Sequence, residues 1–218
     1  MPAAMEMVSG ASARIKGGLT AGWRWREAAK NMLEKGRSAS QARTLAAIRS
    51  SKGFPMLRLP IAPLTKAAFA PFGEVMEADG ALVKAINQGF ATRCDGLAGV
   101  DVSAEGGVVN ISLFVAQPRP LPIRVEIMER HPLGTQLFYP LQDRPWLVLV
   151  CTDPKDASSY RAFAASGRQG VNYARNTWHH PLLVLDPDSR FIIVDRGGAG
   201  HNLDEVWLDA GEQLELAP

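Results

Sequence analysis

Val108-Val109-Asn110-Ile111-Ser112-Leu113-Phe114-Val115, followed beyond a Pro-rich link by Ile123-Arg124-Val125-Glu126-Ile127-Met128-Glu129, decides the fold class. Both stretches are rich in β-branched residues, and the second alternates apolar with polar at the period of a strand. Working outward, further strand-length apolar runs lie at Leu137 to Leu141, Trp146 to Cys151, Leu182 to Leu185, Phe191 to Val194 and Glu205 to Leu208. Turn signals such as Asp153-Pro154, Asp186-Pro187-Asp188-Ser189 and Gly197-Gly198 separate them at short spacing. Toward the N-terminus, Leu57 to Leu64 reads as a Pro-punctuated edge strand. Thr65 then caps a helical turn over Lys66 to Phe69 that Pro71 and Gly73 stop. Only Ser158 to Ser166 reads as helix in the C-terminal half. Many short strands with few helices predict an antiparallel sandwich or small barrel.

The patterned region begins at Met56. Residues 1–54 carry ten Lys and Arg against three acidic residues, a balance of +7. The remainder carries fourteen against nineteen, a balance of −5. The basic pI therefore belongs to the N-terminal quarter, and a nucleic-acid-binding body is not expected, because its cations would cluster on the folded surface. Residues 1–55 are read as a basic extension that is mis-started, organelle-targeting or disordered, and residues 56–218 as the folded domain. No apolar run approaches the roughly 20 residues needed to cross a bilayer, so no membrane partner is expected. Two cysteines, Cys94 and Cys151, make no disulfide framework and suit a reducing, cytoplasmic setting.

Chemistry concentrates late in the chain. In Glu129-Arg130-His131-Pro132-Leu133-Gly134-Thr135-Gln136, Glu129 and His131 share a strand face, and the Pro-Leu-Gly turn can return Gln136 toward it. In Trp178-His179-His180-Pro181 the adjacent histidines face opposite sides, so only one points inward. Two strands that each offer an inward imidazole, with a carboxylate and an amide, have the donors of a divalent-metal site. The same residues also fit hydrogen-bonded structural histidines. Arg196 and Arg175 have the geometry to grip a carboxylate or to form structural ion pairs. Asn172, Tyr173 and Trp178 offer polar and aromatic walls. Asp195-Arg196-Gly197-Gly198-Ala199-Gly200 lacks the following helix of a phosphate loop and reads as a turn aiming Arg196 at a pocket. There is no Gly-x-Ser-x-Gly elbow.

The Glu129–Gln136 segment, Gln169-Gly170-Val171-Asn172-Tyr173, Trp178-His179-His180-Pro181 and Asp195-Arg196-Gly197-Gly198 together resemble the ureidoglycolate lyase family. Pro63-Leu64-Thr65, Phe69-Ala70-Pro71-Phe72-Gly73, Ala116-Gln117-Pro118 and Arg161-Ala162-Phe163 extend the likeness, which spans about residues 56–210. The resemblance implies a mainly β, cupin-like antiparallel barrel of jelly-roll type, a homodimer, and cleavage of ureidoglycolate to glyoxylate and urea in allantoin and purine breakdown. It also implies a divalent metal, nickel in particular. Laid on the cupin metal motif, Glu129 stands for the first His, His131 for the second, Gln136 for the Glu and His179 for the last His, so two of four ligands differ. The implied catalytic set is His131, His179 and Glu129, and the implied metal ligands are His131, Gln136 and His179. Substrate contacts fall to Arg196, Arg175, Gln136, Asn172 and Tyr173. Two other readings stay open on the same residues: a different cupin-type enzyme acting on a small oxo- or hydroxy-acid, and a non-catalytic sensor of a glyoxylate-like carboxylate.

Overall fold

The computed structural model describes residues 56–218; the N-terminal extension lies outside the described residues. The first strands are β1 (Leu57–Arg58), β2 (Ile61–Pro63), β3 (Gly73–Met76), β4 (Leu82–Ile86), β5 (Ala91–Asp95) and β6 (Val108–Ala116), with helix α1 (Lys66–Phe69) before β3. Next come β7 (Ile123–Val125), β8 (Ile127–Arg130), β9 (Gln136–Pro140), β10 (Trp146–Cys151), β11 (Arg161–Ala165) and β12 (Gly170–Tyr173). The last are β13 (Trp178–His179), β14 (Leu183–Val184), β15 (Ser189–Gly197), β16 (Asp204–Trp207) and β17 (Leu214–Leu216).

These strands make layers rather than a ring. A seven-stranded sheet runs β16-β8-β13-β10-β11-β2, with β14 also on β10, and a five-stranded sheet runs β3-β12-β9-β15-β6. A three-stranded sheet, β1-β17-β7, and the β4–β5 hairpin complete the set. The protein is mainly β and mostly antiparallel, as the sequence predicts, but the described strands form a sandwich and close no barrel.

Strand β10 explains the layering. Trp146, Val148 and Val150 pack with Phe138, Val171, Phe191 and Ile193 of the five-stranded sheet. Their neighbours Leu147, Leu149 and Cys151 pack the other way, with Met128 and with Ile123, Val125, Leu214 and Leu216 of the three-stranded sheet. A strand covered on both faces needs an unbroken apolar run, which is what 146–151 provides. Phe69 of α1 is fully buried against Phe163 and Tyr173 and plugs the first core. Thr65 caps that helix by accepting the Ala68 N–H at 3.2 Å.

Two sequence expectations change. The 123–129 run is not one strand. Ile127 and Met128 are both buried, which breaks the alternation, and the chain turns at Glu126 from the three-stranded into the seven-stranded sheet. Residues 158–166 are not helical either. A 3-10 turn at Ala157–Ser159, capped by Asp156, leads into β11, which pairs with β10 over five residues. Alanines favour helix locally, but here they fit the sheet: Ala165 lies opposite the indole-bearing Trp146 and leaves room for it. Tertiary packing overrides propensity.

Candidate active site

The two large sheets bring polar side chains together at one end of their shared core. On the seven-stranded sheet, His179 pairs directly with both Val150 and Glu129. Residues opposite one another in a ladder share a face, so Glu129 and His179 point the way Val150 does, toward the five-stranded sheet. From that sheet Gln136 and Tyr173 are themselves a ladder pair. They alternate in phase with Phe138 and Val171 and so point inward. His131 follows directly on β8, two residues from Glu129.

The imidazole of His179 is enclosed. The Tyr173 ring stacks on it at 4.1 Å and 11°, and the His131 ring lies 5.4 Å away. Its Nδ1 meets the Thr177 carbonyl at 2.8 Å, and its Nε2 meets Gln136 Oε1 at 3.0 Å and Glu129 Oε1 at 3.4 Å. His131 Nδ1 meets the Asn202 carbonyl at 2.7 Å, while its Nε2 is buried without a partner among the described residues. A carbonyl accepts, so each Nδ1 donates to the backbone and each ring turns its Nε2 into the cluster.

Burial acts on both titrating neighbours. It would raise the Glu129 carboxyl, but the hydrogen bond from His179 and the surrounding imidazoles outweigh it and hold the group below its ordinary value. Burial and then the nearby His179 push His131 below its ordinary value, against the Asn202 hydrogen bond and the Glu129 and Asp195 charges. At neutral pH the site therefore holds an ionised Glu129 and a neutral His131.

This donor set fits a divalent cation. The ligand atoms of Glu129, His131 and His179 lie within 4.8 Å of one another. The Nε2 of His131 has no partner among the described residues, and the Nε2 of His179 faces the Gln136 and Glu129 oxygens, so nitrogen and oxygen donors converge on one point. Both rings are oriented by backbone carbonyls, as metal-bound imidazoles usually are.

Other expected residues stand apart. Asn172 lies opposite Leu137 on the outer face of the five-stranded sheet. Its amide donates to Glu74 Oε2 at 2.9 Å and to the Gly99 carbonyl at 3.0 Å. Arg196 alternates with inward Phe191 and Ile193, so it too is on the outer face, buried under the 101–107 segment. It donates to the Ala104 and Glu105 carbonyls, and β-carbons at Gly107 or Gly134 would collide with it. It sits on β15, not in a turn. Arg175 pairs with Asp101 at 2.7 Å on that side. Asn202 and Thr177, which set the two imidazoles, act through backbone carbonyls and leave no sequence signal. Trp178 carries Arg130 over its ring at 4.6 Å.

His180 makes no hydrogen bond to the cluster; its Nδ1 donates to the Pro181 carbonyl at 2.7 Å. Burial pushes its pKa from 6.5 down to about 4. A histidine kept neutral in the fold but free to protonate when unfolded costs stability as pH falls below about 6.5, and the loss is complete near 4. Between pH 7 and pH 5 the expected loss is about 2 kcal/mol. Urea midpoints at the two pH values measure it, and His180→Asn, which keeps a donor for Pro181, should flatten the dependence. An unchanged pH slope in that variant would assign the acid lability elsewhere.

Comparison with known proteins bears on this arrangement. The family profile described as ureidoglycolate lyase matches residues 56–215. "Ureidoglycolate lyase 1" of Rhizobium meliloti (strain 1021) is 55% identical over 152 residues, 69% of this chain and 89% of the relative. The ureidoglycolate lyase of Burkholderia mallei (strain NCTC 10229) is 55% identical over 160 residues, 70% and 94% of the two chains. That of Azotobacter vinelandii is 48% identical over 161 residues, 72% and 96%. A solved oxalate decarboxylase of Bacillus subtilis aligns at 16% identity with a TM-score of 0.29, over 50% of this chain and 29% of the other, a score too low to establish a shared fold. With the profile running through nearly all of the described residues, and the relatives matched across almost their whole length, the chain belongs to the ureidoglycolate lyase family.

Proposed function

We propose that this protein cleaves ureidoglycolate to glyoxylate and urea, as a carbon–nitrogen lyase of the amidine-lyase class in allantoin and purine breakdown. The observation that carries the reading is the inward cluster of Glu129, His131, Gln136 and His179 in a chain of this family. The substrate holds a hydroxyl and a ureido nitrogen on one carbon beside a carboxylate. Glu129, ionised at neutral pH, takes the hydroxyl proton as the carbonyl forms and the carbon–nitrogen bond breaks. The same proton then passes from Glu129 to the departing urea nitrogen. Atoms balance without water, which makes the reaction an elimination.

His131, His179 and Gln136 are the proposed holders of a divalent ion, nickel by preference. When bound, such an ion supplies Lewis-acid polarisation of the substrate oxygens. Gln136 and Tyr173 are the proposed substrate contacts. Arg196, Arg175 and Asn172 would act on substrate only through the 99–107 segment they hold. The unpaired Cys94 and Cys151 suit a reducing, cytoplasmic setting, and the family resemblance implies a homodimer.

The test is to mix the protein with racemic ureidoglycolate and follow the products. Equal amounts of urea and glyoxylate are expected, and ammonia in place of urea would overturn the lyase reading. Chelation followed by dialysis should lower turnover by at least tenfold, and nickel should restore it. Full turnover in a protein free of metal by elemental analysis would leave Glu129 and the histidines to work unaided. We also propose that residues 56–218 are the whole catalytic domain. A chain starting at Met56 is expected to keep near-full turnover, and its insolubility would count against that boundary.

A further inference from the structure

Strand β6 is patterned the wrong way round for the edge of a solvated sheet. It pairs only with β15 among the described residues, so its other edge is free. Its inward positions include Asn110 and Ser112, which lie opposite Asp195 and Ile193. Its outward positions are Val109, Ile111, Leu113 and Val115, and Ile111 is 68% exposed. Beside them on the same face lie half-buried Ile192 and Val194 and partly exposed Tyr139. From Val108 to Ala116 there is no charge and no proline, the usual protections of a free edge.

We infer that this outer face, centred on β6, is where a second copy of the same chain docks. The inference locates the homodimer proposed above and rests on that part of the reading. Three observations favour a second copy. The patch exposes on the order of 500 Å² of apolar surface, which is near the upper end for a monomer. With a polar rim it approaches the roughly 800 Å² that each member of a stable pair buries. A two-fold axis lying across β6 above Ser112 sets Ile111 of one copy over Leu113 of the other and Val109 over Val115, apolar against apolar. Finally, the chain's own basic N-terminal segment finds no acidic side chain among these residues, and Arg190 borders them.

Sedimentation or light scattering on the full chain is the test. The wild type is expected at twice the 23.6 kDa chain mass. Ile111→Glu combined with Leu113→Glu is expected at the single mass, with an unchanged circular dichroism spectrum. If the paired charges prevent folding, Ile111→Ser with Leu113→Ser is read the same way, by dissociation at concentrations where the wild type stays paired. A wild type at the single mass overturns both the dimer and this interface. Variants that stay paired as tightly as the wild type overturn the interface alone. Mass is blind to catalysis, so neither result touches the lyase assignment.

Discussion

Replacing His131 with alanine is expected to lower ureidoglycolate turnover by roughly a hundredfold or more, the scale of a lost acid–base or ligand group. His179→Ala should do the same, and the two losses should not add, because both rings serve one cluster. His131 gives the cleaner experiment. Its Nε2 has no partner to strand among the described residues, and the residue is only half-buried. His179 is 1% exposed, stacked on Tyr173 and bonded at both nitrogens. Its alanine variant should therefore also lose about 1–3 kcal/mol of stability. Rates should be compared at a temperature where each variant is folded, with bound metal measured alongside. Turnover within threefold of wild type in a folded His131→Ala protein would remove the cluster from the chemistry. His180→Asn serves as the control and should keep most of the activity.

The largest stability loss is expected at Phe191. Its ring is fully buried on β15 and meets the Trp146 indole edge-on at 5.0 Å, so it ties the five-stranded sheet to the seven-stranded one. Phe191→Ala removes that contact and leaves a cavity between two sheets that cannot close on it, at a cost of about 3–5 kcal/mol. Against a total of about 5–15 kcal/mol, that brings the fold close to unfolding. Phe90, 91% exposed at the hairpin turn, is the matched control: Phe90→Ala should shift stability by less than about 0.5 kcal/mol. Urea titration of the three proteins measures both effects. Similar midpoints for the two variants would show that the sheets are not coupled through this ring.

What could be read from the sequence was whatever depends on neighbours along the chain. The Trp146–Cys151 run, the Thr65 cap and the shared face of Glu129 and His131 are local, and the structure has all three. What could not be read depends on which sheet a strand joins. Gly170–Tyr173 carries no strong strand signal, yet as β12 it sends Tyr173 inward and Asn172 outward. Arg196 looks like a pocket residue in sequence because it sits beside glycines. Those glycines do not free a loop around a ligand; two other glycines, Gly107 and Gly134, make room for its side chain beneath the 101–107 segment. The β4–β5 hairpin escaped notice because its strands are mixed in polarity and its turn uses Asn87 and Gln88 at positive φ, with no Asn-Gly pair.

Strand β10 lies between two cores, and this shapes how the protein breathes. A strand flanked by apolar layers on both sides cannot expose its amides by peeling one layer away. The backbone N–H groups of Leu147 to Val150 should therefore exchange with deuterium only through whole-domain opening, at rates that report the global free energy. The β4–β5 hairpin, whose two strands pair only with each other among the described residues, should exchange orders of magnitude faster through its own local melting. His179 on β13 is bonded to β10, so it inherits the slow clock: the proposed active site is anchored to the last part of the molecule to come apart.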